Sequence, residues 1–212
     1  LGSPKCSIPT AGVPWRTVRQ PVVLDWWPVQ PVPEDAPFTT VATWRCPFGT
    51  IDAPGRRYTL KLHQFRRFTD LPRRAGLRFE AALDLHPADR RDADALVTGG
   101  WDVVDARRVA ADPFAFRRYL HRSAAEFSVA QGIYVETSSG WFSDRSVRYL
   151  ASGRPTLLQE TGFSDHLPVG EGLVAFEDMT GAVDGAKQIA SHYEEHSQAA
   201  RDLAERYFAS DV

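Results

Sequence analysis

Cysteine, lysine and long apolar runs are scarce in this chain of 212 residues. The two cysteines, Cys6 and Cys46, make neither a disulfide framework nor a zinc site. A reduced, cytoplasmic setting is the resulting expectation. No apolar run is long enough for a membrane span, and the opening "LGSPKCSIPTAG" lacks the charged-then-apolar order of a signal peptide. Excess charge of one sign is also missing. The net charge of −2 argues against a nucleic-acid or membrane-surface partner, both of which call for a basic face. Lysine numbers only 3 against 22 arginines, a bias read first as the codon usage of a GC-rich genome. What the chain does hold is 43% hydrophobic and 25% charged residues, the balance of a packed globular domain. It neither starts with Met nor ends on a stop signal, so a piece of a longer polypeptide is expected.

Residues 1–37 are rich in proline, with Pro21, Pro28, Pro31, Pro33 and Pro37 in one stretch. Proline lacks a backbone donor and fixes φ, so this stretch reads as a linker or the end of a preceding domain. Trp26 and Trp27 are its expected anchors. From Phe38 onward, strand-like and helix-like segments alternate. "FTTVATW", "LRFEAAL", "WDVVDA", "SVAQGIYV", "PTLLQE" and "GLVAFED" read as strands. "YTLKLHQFRRFTDLPRRAG", "PADRRDADALVTGG", "DPFAFRRYLHRSAAEF", "RSVRYLA" and the tail from Ala182 read as helices. Such alternation predicts an α/β fold, a doubly wound and mostly parallel sheet of about six strands with helices on both faces. Ligands on such sheets bind beyond the carboxyl ends of the strands. "WRCPF", "ETSSGWFSDR" and "QETGF" are therefore expected together on one rim.

The stretch "SGWFSDRSVRYLASGRPTLLQETGF", followed by "LPVGEGLVAFED", resembles the C-terminal domain of GT-B glycosyltransferases, and most closely the bacterial "group 1" type. The resemblance implies that residues 38–212 form a Rossmann-like domain binding a nucleotide-diphosphate sugar for transfer to an acceptor. It also implies that residues 1–37 leave an N-terminal acceptor domain absent from this chain. The residues support a phosphate cradle in their own right. A helix starting near Ser143 and Asp144 offers free N–H groups and a positive dipole end to an anion. Gly140 permits close approach, and Ser138, Ser139 and Ser143 carry hydroxyls. Arg145 in a first helical turn opposes the helix dipole, and an anion there would offset that. Trp141 and Phe142 are candidate stacking surfaces for a base or sugar. Arg45 and Lys61 occupy the two places where the similar enzymes use a basic pair. No metal or cofactor is expected, and the donor is a substrate.

One feature of the resemblance is missing. Many retaining members carry two glutamates eight positions apart, where this chain has Gly140 and Arg148. No catalytic residue is assigned, and the general base of the similar enzymes normally lies on the absent domain. Glu160, Asp165 and His166 read as turn or cap residues as readily as site residues. "HYEEH", His192–His196, fits an H-x-x-E-H metal pattern but sits on an Ala/Glu/Arg-rich helix without a further carboxylate ligand. The alternatives are a GT-B-fold epimerase or phosphorylase, and a non-catalytic α/β interaction module.

Overall fold

The computed structural model describes residues 4–45, 49–53 and 55–211. Its centre is a six-stranded sheet in which every paired neighbour is parallel. The strands are β1 (Phe38–Thr43), β4 (Phe79–Asp84), β5 (Trp101–Asp105), β6 (Ala125–Ser128), β7 (Thr156–Gln159) and β8 (Leu173–Phe176). A separate antiparallel hairpin, β2 (Ile51–Ala53) and β3 (Arg56–Tyr58), follows β1. The helices are α1 (Lys61–Phe65), α2 (Leu71–Ala75), α3 (Arg90–Thr98), α4 (Ala106–Val109), α5 (Pro113–His121), α6 (Gly132–Glu136), α7 (Asp144–Ala151), α8 (Met179–Ser191) and α9 (Tyr193–Tyr207). The spatial order β5-β4-β1-β6-β7-β8 is that of a Rossmann sheet, with the topological switch point between β1 and β6.

Both faces of the sheet are covered, and alternating strand residues show how. Phe79, Ala81 and Leu83 of β4, Leu157 of β7 and Val174 of β8 pack into a core with α1, α2, α3 and α8. Leu158 and Leu173 point the other way, into a core with α5, α7 and α9. The first core is dominated by aromatic rings. Phe127 of β6 lies within 6.0 Å, centroid to centroid, of Phe65, Phe68, Phe79, Trp101 and Phe176. Such edge-to-face and offset pairs add to plain area burial. Among the described residues, no helix is long and apolar enough to cross a membrane.

The helix starts follow the expected chemistry. Asp112 Oδ1 accepts from Ala115 N at 2.7 Å with Pro113 at the first position, and Asp178 caps α8 through Gly181 N at 2.9 Å. Three expectations need correction. The helix read over residues 112–127 ends at His121, and "AEFS" is instead the fourth sheet strand, β6. All four of its residues are buried. A strand at the sheet centre is selected by burial on two faces, which overrides the helical preference of Ala and Glu. The strand read over residues 128–135 correspondingly stops at Ser128, and Gly132–Glu136 is a helical turn, α6. There Gly132 lies so close to Thr59 that a Cβ would meet its Oγ1 at 2.2 Å. The tail helix is two helices, because His192 leaves helical geometry at φ −126°, ψ 43°.

The proline-rich segment lies across the face of α5, α7 and α9. Val22 bridges to Ala209 and exchanges backbone hydrogen bonds with Phe208 and Ser210. Trp27, and not Trp26, is the anchor. Trp27 is buried with its ring edge-on to Phe116 at 6.0 Å, beneath the Arg148 guanidinium, whereas Trp26 is 68% exposed. Equilibrium denaturation separates these roles. Phe127→Ala is expected to cost about 3–5 kcal/mol, Trp27→Ala about 2–3 kcal/mol and Trp26→Ala less than about 0.5 kcal/mol. Equal costs for the two tryptophans would contradict the anchoring assignment.

Candidate functional site

A cavity of about 210 Å³ opens beyond the carboxyl ends of β6 and β7, beside the switch point. Its wall includes Lys61 from the start of α1, Ser128 from the end of β6, Tyr134 from α6, Ser143, Arg145 and Ser146 from the start of α7, and Gln159 and Thr161 from the end of β7. Two of the three expected loops therefore converge, those around residues 138–145 and 159–163. Residues 46–48 of "WRCPF" lie outside the described residues.

The loop before α7 is held in place by its neighbour. Gly140 N donates to Thr161 O at 2.7 Å, and Thr161 Oγ1 donates to Trp141 O at 2.6 Å. Ser138 (φ 48°) and Gly140 (φ 71°) both take left-handed backbone. A Cβ on Gly140 would meet nothing within 4 Å, so conformation and not crowding by protein explains glycine there. Ser143 is the N-cap of α7 and accepts from Arg145 N at 3.2 Å. One turn on, Ser146 is buried, and its Oγ has no hydrogen-bond partner within the described protein. Ser146 was not singled out from the sequence. Its signal was the i, i+3 spacing from Ser143, which puts both hydroxyls on one helix face.

The expected site residues separate into three groups. Lys61, Trp141, Phe142, Ser143 and Arg145 line the cavity. Trp141 stacks on Tyr134 with centroids 4.7 Å apart and stays 42% exposed, an aromatic platform at the site. Phe142 is committed to packing, against Phe163 and Phe208. Ser138, Ser139, Gly140 and Asp144 shape the loop without lining the cavity. Ser139 Oγ accepts from Trp141 N at 3.2 Å, and Asp144 pairs with Arg148 at 2.9 Å. Arg45 stands apart, in a two-pronged ion pair with Asp89 at 2.7 and 2.8 Å. That pair holds the Asp89 carboxyl below its usual range. Glu160 accepts from Thr161 N and Gly162 N, closing its own turn, and Asp165 pairs with Lys5. His196 accepts from Gly172 N through Nδ1 at 3.2 Å, a structural contact between α9 and the turn before β8.

Arg145 is turned into the sheet. Nε donates to Glu126 Oε1 at 2.6 Å, Nη1 to Val41 O at 2.8 Å and Nη2 to Ser128 Oγ at 2.7 Å. Burial works against its charge, but the Glu126 carboxylate more than offsets this, so its pKa is raised. Lys61 behaves oppositely. Burial first, then repulsion from Arg145, lowers its pKa from 10.5 to about 7, with Glu126 acting the other way. Glu126 itself is fully buried and was invisible to a sequence reading that placed it in a helix.

No known family's sequence pattern matches the chain, and no curated protein matches by sequence. Solved structures do match. TarM superposes with a TM-score of 0.56 at 10% identity, over 84% of this chain and 34% of TarM. Sucrose-phosphate synthase from Thermosynechococcus elongatus gives 0.55 at 13%, over 92% of this chain and 49% of the synthase. AviGT4, a glycosyltransferase involved in avilamycin A biosynthesis, gives 0.53 at 15%, over 88% and 54%. The fold is that of one Rossmann-like half of a GT-B glycosyltransferase. The likeness is one of fold, and the chain spans between 34% and 54% of the length of these three proteins. At one of the two positions where many retaining GT-B enzymes carry a glutamate, this chain has Arg148, which lies over Trp27 and Phe116.

The buried pair gives a stability test. Glu126→Ala leaves the Arg145 guanidinium without its carboxylate and is expected to cost about 3–5 kcal/mol. The double variant Glu126→Leu with Arg145→Met removes both charges and should recover most of that loss. Urea denaturation of the two proteins decides it. A double variant no more stable than the single would show that the loss did not come from a stranded charge.

Proposed function

We propose that the chain is the donor-binding part of a glycosyltransferase and that its cavity holds the diphosphate of a nucleotide-sugar. The observation that carries this reading is Lys61. It lines the cavity beside the amino end of α7, and no hydrogen bond or ion pair within the described protein engages its ammonium. The other wall groups suit an anion as well. The first N–H groups of α7 supply a positive dipole end, and the unpartnered Ser146 Oγ supplies a hydroxyl donor. The Tyr134–Trp141 platform offers a flat apolar face for the base or sugar.

In the reaction, the bond between the anomeric carbon and the diphosphate oxygen breaks, and negative charge grows on the leaving group. Fixed donors placed where that charge develops lower the barrier without having to reorganise. Lys61, Ser146 and the α7 amides are assigned to that task. The acceptor and its activating base belong to a second domain, to which residues 1–37 would lead. Arg145 acts from behind, by fixing the strand ends, and Arg45 is assigned to Asp89 rather than to the ligand.

Isothermal titration with UDP, GDP and their sugars tests the reading. A charge-assisted contact is worth roughly 1.5–3 kcal/mol, so Lys61→Ala should weaken binding about ten- to a hundredfold. Arg45→Ala should leave affinity within about twofold, because exposed ion pairs outside a site contribute little. Failure of every nucleotide diphosphate to bind the intact protein would refute the proposal.

A further inference from the structure

Lys61 and Arg145 line the cavity, and Arg145 is paired with Glu126 of the strand behind it. Arg145 uses all three guanidinium nitrogens on Glu126 Oε1, Val41 O and Ser128 Oγ. Glu126 is 0% exposed, and its second oxygen, Oε2, accepts no hydrogen bond. Lys61 lies within electrostatic reach of both. Apart from Lys61 and Arg145, the ionisable group on the cavity wall among the described residues is the Tyr134 phenol of α6, and Ser128, Ser146 and Gln159 are uncharged wall residues. The sheet thus supplies one carboxylate for two cations, and that carboxylate is hydrogen-bonded to the arginine.

A charged Lys61 would leave these three groups with one net positive charge in a partly desolvated site, which is unfavourable until an anion arrives. Resting on the donor-site reading above, we propose that Glu126 is a positioning residue that holds the Arg145 guanidinium against the strand ends, and that anion capture in the cavity takes up a proton at Lys61. The proton comes from solvent. Neutral Lys61 becomes an ammonium as the diphosphate enters, and gives the proton back when the diphosphate leaves. The lowering of Lys61 to about 7 by burial and by Arg145 agrees with that resting state. Glu126 has a second effect, since its carboxylate partly offsets the repulsion from Arg145 and keeps Lys61 basic enough to be recharged.

The chain holds only three lysines, Lys5, Lys61 and Lys187, so NMR of lysine labelled at Cε can follow each one, with Lys61→Met assigning the signal. Lys61 is expected to titrate about two or more units below the ordinary lysine value of about 10.4. Inorganic pyrophosphate should raise the Lys61 midpoint by about one unit or more, the size of effect that a close opposite charge produces. Titration calorimetry near pH 8 in buffers of different ionisation heat should show net proton uptake. In Glu126→Gln the unliganded Lys61 midpoint should move down further. Should that variant fail to fold, the wild-type measurements decide alone. Pyrophosphate binding with an unmoved Lys61 midpoint, or Lys61 titrating at the ordinary lysine value of about 10.4, overturns this inference and leaves the donor site standing. No pyrophosphate binding at all overturns both.

Discussion

The Arg145–Glu126 ion pair is the contact on which the arrangement of this site depends. Strand β1 pairs with β4 through six residue pairs but with β6 through only two, Phe38↔Ala125 and Thr39↔Glu126. Beyond them the two strands separate, which is where a Rossmann sheet opens to its ligand. Past that separation, Val41 lies beyond the two β1–β6 pairs, and its carbonyl takes a side-chain donor. Arg145 supplies it, reaching from the first turn of α7 to β1 and β6 at once. One side chain therefore fixes the width of the crevice, the start of α7 and the position of the Ser143–Ser146 face.

That role resolves the problem of a cation at the positive end of a helix. Arg145 is offset by a carboxylate from the sheet, not by a ligand. The cation on the cavity wall without a hydrogen-bonded partner among the described residues comes from a different element, Lys61, the first residue of α1. Hydrogen bonds around the site reinforce this division. Gln159 takes Ala130 N on its oxygen and gives its amide to Gln64, tying β7 and the loop after β6 to α1. Buried amides that satisfy one another in this way rigidify the elements carrying them.

Much of the fold was legible because the hydrophobic pattern and the caps speak locally. The alternating strands and helices, the Asp112–Pro113 start, the Ser143 cap and the stop at Gly153 all rest on residues within a few positions of one another. The reading failed where distant residues decide. "AEFS" is a strand because β1 and β7 flank it and the aromatic core receives Phe127. "GIYVE" is helical despite its β-branched residues, because Gly132 docks on Thr59, far away in sequence. Among the site residues, the loop and its cap were recognisable, whereas the roles of Arg45 and Arg145 depended on partners that no spacing rule pairs with them.

By itself the sequence determined the class of fold and the rim on which two of the three expected loops meet. Periodicity, capping and the order of elements are short-range properties, and the handedness of parallel crossovers leaves few ways to assemble them. Only the tertiary structure decided which cation on the cavity wall is left without a carboxylate hydrogen-bonded to it among the described residues. Arg45, Lys61 and Arg145 are alike in charge, and what separates them is the carboxylate each one meets. Asp89 takes Arg45, Glu126 takes Arg145, and Lys61 keeps no hydrogen-bonded partner among the described residues. Those encounters join residues 19 to 44 positions apart, brought together only when the strands pack side by side.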